Sequence, residues 1–310
     1  MLWEAHRKAR PILFSLSCAA CRFWYYLCHS VNSQTPDDHP FRHYTAKHRV
    51  VAWVSQNLFD SVTYTVRHGL LKGMKRKGGL AWVPEFIAGS AKTPEHTFWM
   101  NLDLKGLTIY DIGAFHGLLT LFFARQGRQI ISYEPNTRNH ARLMDNLRLN
   151  GIKNVQVRSV GVGSEPKVAT MFVSLVMPGG ASVEHDTVAG LLNSKGRVLS
   201  ESISIVTLDD DIRKMSLPVP DFIKIDIEGG ELPALMGARN TVLTYKPRLF
   251  LEMHGETMNL KRKNVAAIVA YLHELGYHDI LHVESGSKIG IENSAIAAEG
   301  HLYCQQPVLE

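Results

Sequence analysis

From Leu107 onward, short apolar runs alternate with stretches whose apolar residues recur every three or four positions, the pattern of parallel strands joined by crossover helices. The spacing predicts strands over Leu107–Ile112, Gln129–Glu134, Asn154–Val160, Asp221–Ile227 and Arg248–His254. Helices are predicted over His116–Arg125, Arg138–Asn150, Glu231–Arg239 and Lys261–Leu275. Each strand is short and nearly all apolar, as strands buried on both faces are. Two late runs, Asp279–Glu284 and Gly300–Gln305, have no helical pattern between them and predict a terminal antiparallel hairpin. Between Gly161 and Leu208 lies an insertion with strand-like runs at Val168–Leu175 and Ser202–Val206. The expected fold is α/β, a doubly wound Rossmann-like sheet that is mostly parallel.

The first third reads differently. Val50, Val51, Trp53, Val54, Leu58, Val62, Val66 and Leu70 fall on helical faces, so residues 1–104 are expected to form a mainly helical extension ahead of a domain at 105–310. Pro11–Val31 raises a membrane question, but Arg22 interrupts it, and a spanning helix needs about 20 apolar residues without such a charge. An ordinary N-terminal helix is the first reading; an interfacial anchor and a cleaved signal are the alternatives. Cys18 and Cys21 on that segment read as small apolar packing, since no ligand-spaced partner completes a metal site. Lys72, Lys75, Arg76 and Lys77 form a basic turn, read as a solvated face, with contact to a substrate phosphate or a membrane as the sharper alternative.

Composition fits a globular chain: of 310 residues, 45% are apolar and 20% charged, enough for a sizeable core. Four cysteines are too few for a disulfide scaffold, and a reducing, cytoplasmic setting is expected. Residues 1–105 carry 14 Lys/Arg against 7 Asp/Glu, and residues 106–310 carry 20 against 22. The basic first third is therefore the part that would associate with an anionic membrane or glycan surface. The mildly acidic remainder gives no electrostatic reason to expect nucleic acid.

Chemistry concentrates at the strand ends. The first strand ends in Asp111-Ile112-Gly113-Ala114-Phe115-His116-Gly117 and runs into a helix. Glycines at such a turn let a ligand approach the backbone, and a helix start offers free N–H groups to an anion. The spacing departs from G-x-G-x-x-G, so a dinucleotide is the weaker reading. The second strand ends at Glu134-Pro135-Asn136, where a carboxylate can accept both ribose hydroxyls. Together they describe an adenosyl ligand without a pyrophosphate, which S-adenosylmethionine fits, with its adenine near Val160 and Gly161. The structural alternative is that Gly113 and Gly117 only permit tight packing and that Glu134 is a solvated strand end.

The fourth strand runs through Lys224-Ile225-Asp226-Ile227-Glu228-Gly229-Gly230-Glu231. Asp226 lies at the ligand-binding edge of an open α/β sheet, whereas helix-dipole capping accounts for Glu231 and extends to Glu228. The fifth strand ends in Glu252-Met253-His254, which the sheet order should set beside Asp226. A histidine there can serve as a general base near neutral pH, or as a hydrogen-bonded structural residue. Asp226, Glu252 and His254 also offer metal-type ligands, but two strand ends do not fix a geometry, and no metal is assigned.

These residues resemble a known family. Asp111-Ile112-Gly113-Ala114-Phe115-His116-Gly117, Tyr133-Glu134-Pro135-Asn136, Asn146-Leu147-Arg148-Leu149-Asn150, Thr207-Leu208-Asp209-Asp210 and Ile223 through Glu231, continued by Arg248 through His254, are similar to the FkbM-type methyltransferases over about residues 105–305. The resemblance implies a class I methyltransferase fold using S-adenosylmethionine to methylate a hydroxyl of a sugar, glycolipid or other secondary metabolite. It implies that Asp111, Gly113, Gly117 and Glu134 hold the cofactor, joined on the residue reading by Ala114, Pro135, Asn136, Val160 and Gly161. Asp226 and Glu228 would face the acceptor. The family usually has Asn where this chain has Phe115. Asp226 or His254 is expected to take or relay the acceptor's proton while Glu228 orients the acceptor. A dinucleotide-dependent oxidoreductase and a non-enzymatic membrane- or glycan-binding protein on a degenerate methyltransferase fold are the rival readings.

Overall fold

A computed structural model describes residues 61–78, 93–174, 181–183 and 198–306. The expectations for Pro11–Val31 and for most of Phe41–Leu71 lie outside those residues. Inside them, β1 (Thr63–Thr65) pairs antiparallel with β2 (Lys75–Lys77), Thr63 opposite Lys77. The four-residue apolar spacing that predicts helix across Val62, Val66 and Leu70 is thus overridden by a hairpin. Val66, Leu70 and Leu71 are buried, and tertiary burial decides a segment whose local preference is weak.

The main sheet is built from β3 (Thr108–Ile112), β4 (Gln129–Tyr133), β5 (Val155–Arg158), β10 (Phe222–Ile225), β11 (Arg248–Glu252), β12 (Asp279–His282), β13 (Ser287–Lys288) and β14 (His301–Gln305). Their spatial order is β13-β12-β14-β11-β10-β3-β4-β5. From β5 across to β11 the pairing is parallel. The late runs do pair antiparallel, as expected, and β14 inserts between β12 and β11. The connecting helices are α2 (Leu118–Ala124), α3 (Thr137–Leu149), α5 (Glu231–Gly237), α6 (Arg239–Tyr245) and α7 (Met258–Glu274). The insertion forms a separate sheet, β6 (Gly161–Val162), β9 (Val198–Val206), β7 (Lys167–Ser174) and β8 (Ala181–Ser182) in that order. A helix the sequence pattern did not disclose, α4 (Leu208–Met215), follows it, capped by Thr207.

Strand alternation divides the core. Ile223, Ile225, Leu249 and Leu251 face one layer, with Ala234, Leu235 and Val242 of α5 and α6 and Val265 and Ile268 of α7. Phe222 and Phe250 face the other, with Leu121 and Phe123 of α2, Leu143 of α3 and Trp99 of α1 (Pro94–Asn101). Trp99 lies tilted over Phe250 at 4.3 Å between centroids and meets Phe123 edge-on at 5.4 Å, the edge-on geometry favouring the pair beyond its burial.

The strand predicted to Val160 stops at Arg158, because the chain leaves the main sheet there and starts β6 against β9. Arg158 fastens the junction with a fork onto Asp211 of α4, Nη2 to Oδ1 at 2.6 Å and Nε to Oδ2 at 3.0 Å. Tyr133 donates its hydroxyl to the same carboxylate at 2.9 Å. Among the described residues no helix is long and apolar enough to cross a membrane. Trp99→Ala is expected to cost about 3–5 kcal/mol in urea unfolding; a loss under about 1 kcal/mol would show that α1 does not belong to the core.

Candidate active site

The predicted chemistry meets at one edge. The turn 113–117 leaves β3, Glu134 leaves β4, Asp226 and Glu228 leave β10, and Glu252 and His254 close β11, all at carboxyl ends, where open α/β sheets bind ligands. Parallel pairing of β10 with β3 and β11 puts Ile225 opposite both Ile112 and Leu251, so the three ends are level.

Gly113 and Gly117 take φ of +83° and +81°, a region open mainly to glycine. A Cβ on Gly113 would run into the carbonyl oxygen of Asp226, and one on Gly117 into Leu143. Packing against backbone therefore demands Gly113, and the positive φ favours glycine at both positions. That packing also brings the end of β10 directly under the turn. Phe115 follows with φ of +50° and its ring stacks on His116 at 3.8 Å.

Glu134 is buried and organises that turn. Its Oε2 accepts from the Phe115 N–H at 2.7 Å, and its Oε1 from the Asn136 N–H at 3.0 Å and Asn139 Nδ2 at 3.3 Å. Burial pushes its carboxyl up to about 7, with the N–H donors pulling the other way. Asn136 caps α3 by accepting from Asn139 N–H at 2.9 Å and donates to Glu201 of β9 at 2.9 Å. Pro135 is half-buried between them. Val160 leans on the core, and Gly161 opens β6, so both sit where the two sheets meet.

Asp111 is fully buried behind the turn. Its carboxylate takes the Thr120 hydroxyl at 2.5 Å and faces Lys224 Nζ at 3.4 Å. Lys224, opposite Asp111 in the β3–β10 register, also contacts Asp226 Oδ2 at 3.0 Å and donates to the Gly113 carbonyl at 2.9 Å. Burial works against its charge, but Asp226 and Asp111 outweigh that and hold it protonated. Reading the sequence for chemistry passed over Lys224. The available signal was a lysine in an otherwise apolar buried strand, two positions before Asp226 and so on its face.

His254 sits among four carboxylates. Its Nδ1 meets Glu231 Oε1 at 2.9 Å, and its Nε2 faces Glu252 at 3.6 Å and Asp226 and Glu228 at 3.7 Å each. Glu231, read beforehand as a helix cap, also accepts from the Ile227 and Gly229 N–H groups at 3.2 and 3.1 Å. Burial pushes the imidazole down, but the Glu231 bond and the surrounding carboxylates raise it to about 10. The surrounding acids thus favour a positive charge at the ring. Burial likewise drives Asp226 up, yet Lys224 and His254 hold it below the usual carboxylate range. Glu228, at φ of +54°, is pushed by burial up to about 7, His254 opposing.

The sequence profile of the Methyltransferase FkbM domain matches residues 111–278, more than half of the chain. This chain belongs to the FkbM methyltransferase family. Among solved structures it is similar to the FkbM methyltransferase of Methylobacillus flagellatus KT, 20% identical, with 68% of this chain and 50% of that one covered and a TM-score of 0.43. It is also similar to a Streptococcus mutans methyltransferase solved with SAH, 13% identical over 69% and 96% of the two chains, TM-score 0.38. A third is Aeropyrum pernix fibrillarin with bound S-adenosyl-L-methionine, 11% identical over 66% and 68%, TM-score 0.37. The chain thus spans half the length of the Methylobacillus protein. Comparison with curated proteins returned no match.

The basic turn is not simply solvated: Arg76 is buried, and Lys77 Nζ pairs with Asp145 at 2.7 Å. Beside it burial, then Arg76 of β2 and Arg142 and Arg138 of α3, push His116 down to about 3 against a hydrogen bond to Asn139. His116 therefore stays neutral in the fold while the unfolded chain takes up a proton below about pH 6.5. Stability should fall as pH drops from there, by up to about 1.4 kcal/mol per pH unit from this group. His116→Gln should flatten that slope in urea unfolding run across the acid range; an unchanged slope would remove His116 as the cause. Lys224→Met, which leaves two carboxylates without their buried cation, is expected to cost about 3–5 kcal/mol. Combining it with Asp226→Asn should cost less than the two singles added.

Proposed function

We propose that the protein transfers a methyl group from S-adenosylmethionine to a hydroxyl of a sugar, glycolipid or related small metabolite. The observation that carries this reading is the contact of the Gly113 turn with the Asp226 carbonyl, which sets a ribose-type carboxylate and an acidic acceptor edge on either side of one backbone crossing. Membership of the family supports the cofactor.

The residues present fit an adenosyl ligand. A carboxylate has about four acceptor positions, and Glu134 spends three on Phe115, Asn136 and Asn139, leaving Oε2 one for a ribose hydroxyl. Gly113, Ala114 and Gly117 keep side chains off the turn, and Pro135, Asn136, Val160 and Gly161 would border the nucleoside. Asp111, wholly buried, supports the turn through Lys224 and does not touch the ligand. When bound, the cofactor supplies a methyl group on a positively charged sulfur, already activated for in-line displacement.

The protein then has to align the acceptor and receive a proton. Glu228, about one-third exposed at 36% of its side chain, stands at the mouth and hydrogen-bonds the acceptor hydroxyl. Asp226, at 30%, is the carboxylate that takes or passes on its proton. His254 Nε2 stands 3.7 Å from both acids. The acidic edge also complements the sulfonium charge.

Calorimetric titration with S-adenosylmethionine and S-adenosylhomocysteine is the decisive measurement. Binding to the wild type and its loss in Glu134→Ala are expected; a well-folded wild type that binds neither would overturn the reading. Once an acceptor is in hand, Asp226→Asn combined with His254→Ala should lower kcat at least about 100-fold. Wild-type turnover in that double variant would dismiss the acceptor-side assignment.

A further inference from the structure

Three side chains at the ends of β10 and β11 turn a polar atom toward a common point, and two of them, His254 and Asp226, have their other polar atom held from behind. His254 Nδ1 is held by Glu231 at 2.9 Å, and Glu231 is 2% exposed. Asp226 Oδ2 is held by Lys224 at 3.0 Å. Glu252 Oε2 faces His301 Nε2 at 3.7 Å, and His301 is in turn clamped by Glu284, Nδ1 to Oε1 at 2.6 Å. The atoms turned toward one another are His254 Nε2, Asp226 Oδ1 and Glu252 Oε1. Nε2 lies 3.7 Å and 3.6 Å from the two oxygens, and the three residues present ligand atoms within 4.8 Å of one another. Glu228 Oε2 closes another side, 3.7 Å from Nε2.

Those separations are too long for N–H···O bonds, which run about 2.7–3.2 Å. They match the spacing of about 3.4–3.6 Å between neighbouring ligands that each sit about 2.1–2.2 Å from one tetrahedral ion. A ligating histidine whose other nitrogen is held by a buried carboxylate, and a ligating carboxylate whose second oxygen is held by a buried ammonium, are the outer-shell arrangement of built metal sites. A solvated acidic patch has no need of it.

We propose that Asp226, Glu252 and His254 bind a divalent cation through Oδ1, Oε1 and Nε2, with Glu228 beside it. One imidazole and two carboxylates suit a first-row transition ion such as Mn2+ or Zn2+ better than an all-oxygen preference such as that of Ca2+. Glu231, Lys224 and His301 are positioning residues for the three ligands. The purpose of the ion rests on the methyl-transfer reading: it would hold the acceptor oxygen and favour its deprotonated form. The site itself does not depend on that reading.

The test is titration of the chelator-treated full chain with Mn2+, followed by the loss of the free-ion paramagnetic resonance signal and by calorimetry. One ion per chain is expected. Glu252→Gln and His254→Ala should each weaken binding at least about 10-fold, and Glu231→Gln by about 10-fold through the orientation of the ring. His254→Ala removes no negative charge. If it bound Mn2+ as well as or better than wild type, attraction to acidic groups alone would explain the binding and the proposal would fail. Should that variant not fold, spin-echo modulation from a coordinated imidazole nitrogen in the wild type decides the same point, and its absence counts against the site. Cofactor titration without metal separates the two claims. Mn2+ binding without S-adenosylmethionine binding sinks methyl transfer and spares the metal site; the reverse sinks the metal site alone.

Discussion

A single buried ammonium ties the two halves of the site together. Lys224 projects from the middle of the sheet onto Asp111 of β3, Asp226 of its own strand end and the Gly113 carbonyl. An isolated charge in that position would be too costly to bury. The fold must therefore hold both carboxylates within reach, and the register of β10 on β3, with Lys224 opposite Asp111, does so. Because side chains alternate along a strand, the residue two places on shares the same face. That is the physical content of lysine, one apolar residue, then aspartate. The cation needs one acid across the sheet and one ahead of it, and the one ahead lands at the ligand edge.

The glycine turn after β3 obeys a similar economy. Glu134 is committed to the protein's own N–H groups before any ligand arrives, and its bond to Phe115 N–H at 2.7 Å sets the shape of the turn. Asn at position 115, which the family usually has, would make the same backbone bond, since the donor is main chain. Substituting Phe changes what the turn presents and leaves how it is held unchanged. Its ring stacks on His116, whose protonation is disfavoured by its partial burial and by the charges of Arg76, Arg142 and Arg138. Arg76 of the β1–β2 hairpin thus acts electrostatically on the turn 113–117, although the sequence placed that residue on a solvated basic face.

How far the chain could be read in advance follows from where the information is local. Strands such as Gln129–Tyr133 and Phe222–Ile225 are mostly apolar because both faces are covered, and their short apolar runs find them, Lys224 being the exception in the second. The ligand edge follows from the sheet's polarity, so the strand-end acids fell together as expected. What local pattern hides is partnership across distance. Glu231 carries a capping signature in sequence, yet it accepts from His254, 23 positions on. Nothing around His254 announces that its ring will be enclosed by acids from two strands and a helix start. The helix over Leu208–Met215 escaped for the opposite reason: it is short, follows an insertion, and its stability comes from Asp211 and Asp209 bonding to Arg158, Asn240 and Thr241.

The same partnership decides how His254 should be understood. A histidine at a strand end beside an aspartate suggests a base when only that pair is considered. Adding Glu231, Glu228 and Glu252 reverses the inference, because each further carboxylate favours a positive charge on the ring or in its place. A proton on Nε2 satisfies that demand poorly, since its three carboxylate neighbours all stand at 3.6–3.7 Å. A cation centred among them satisfies it with all ligands at once. The geometry that leaves Nε2 without a hydrogen-bond acceptor in reach is thus the geometry that suits it as a ligand, and it follows from Glu231 having fixed the other nitrogen first.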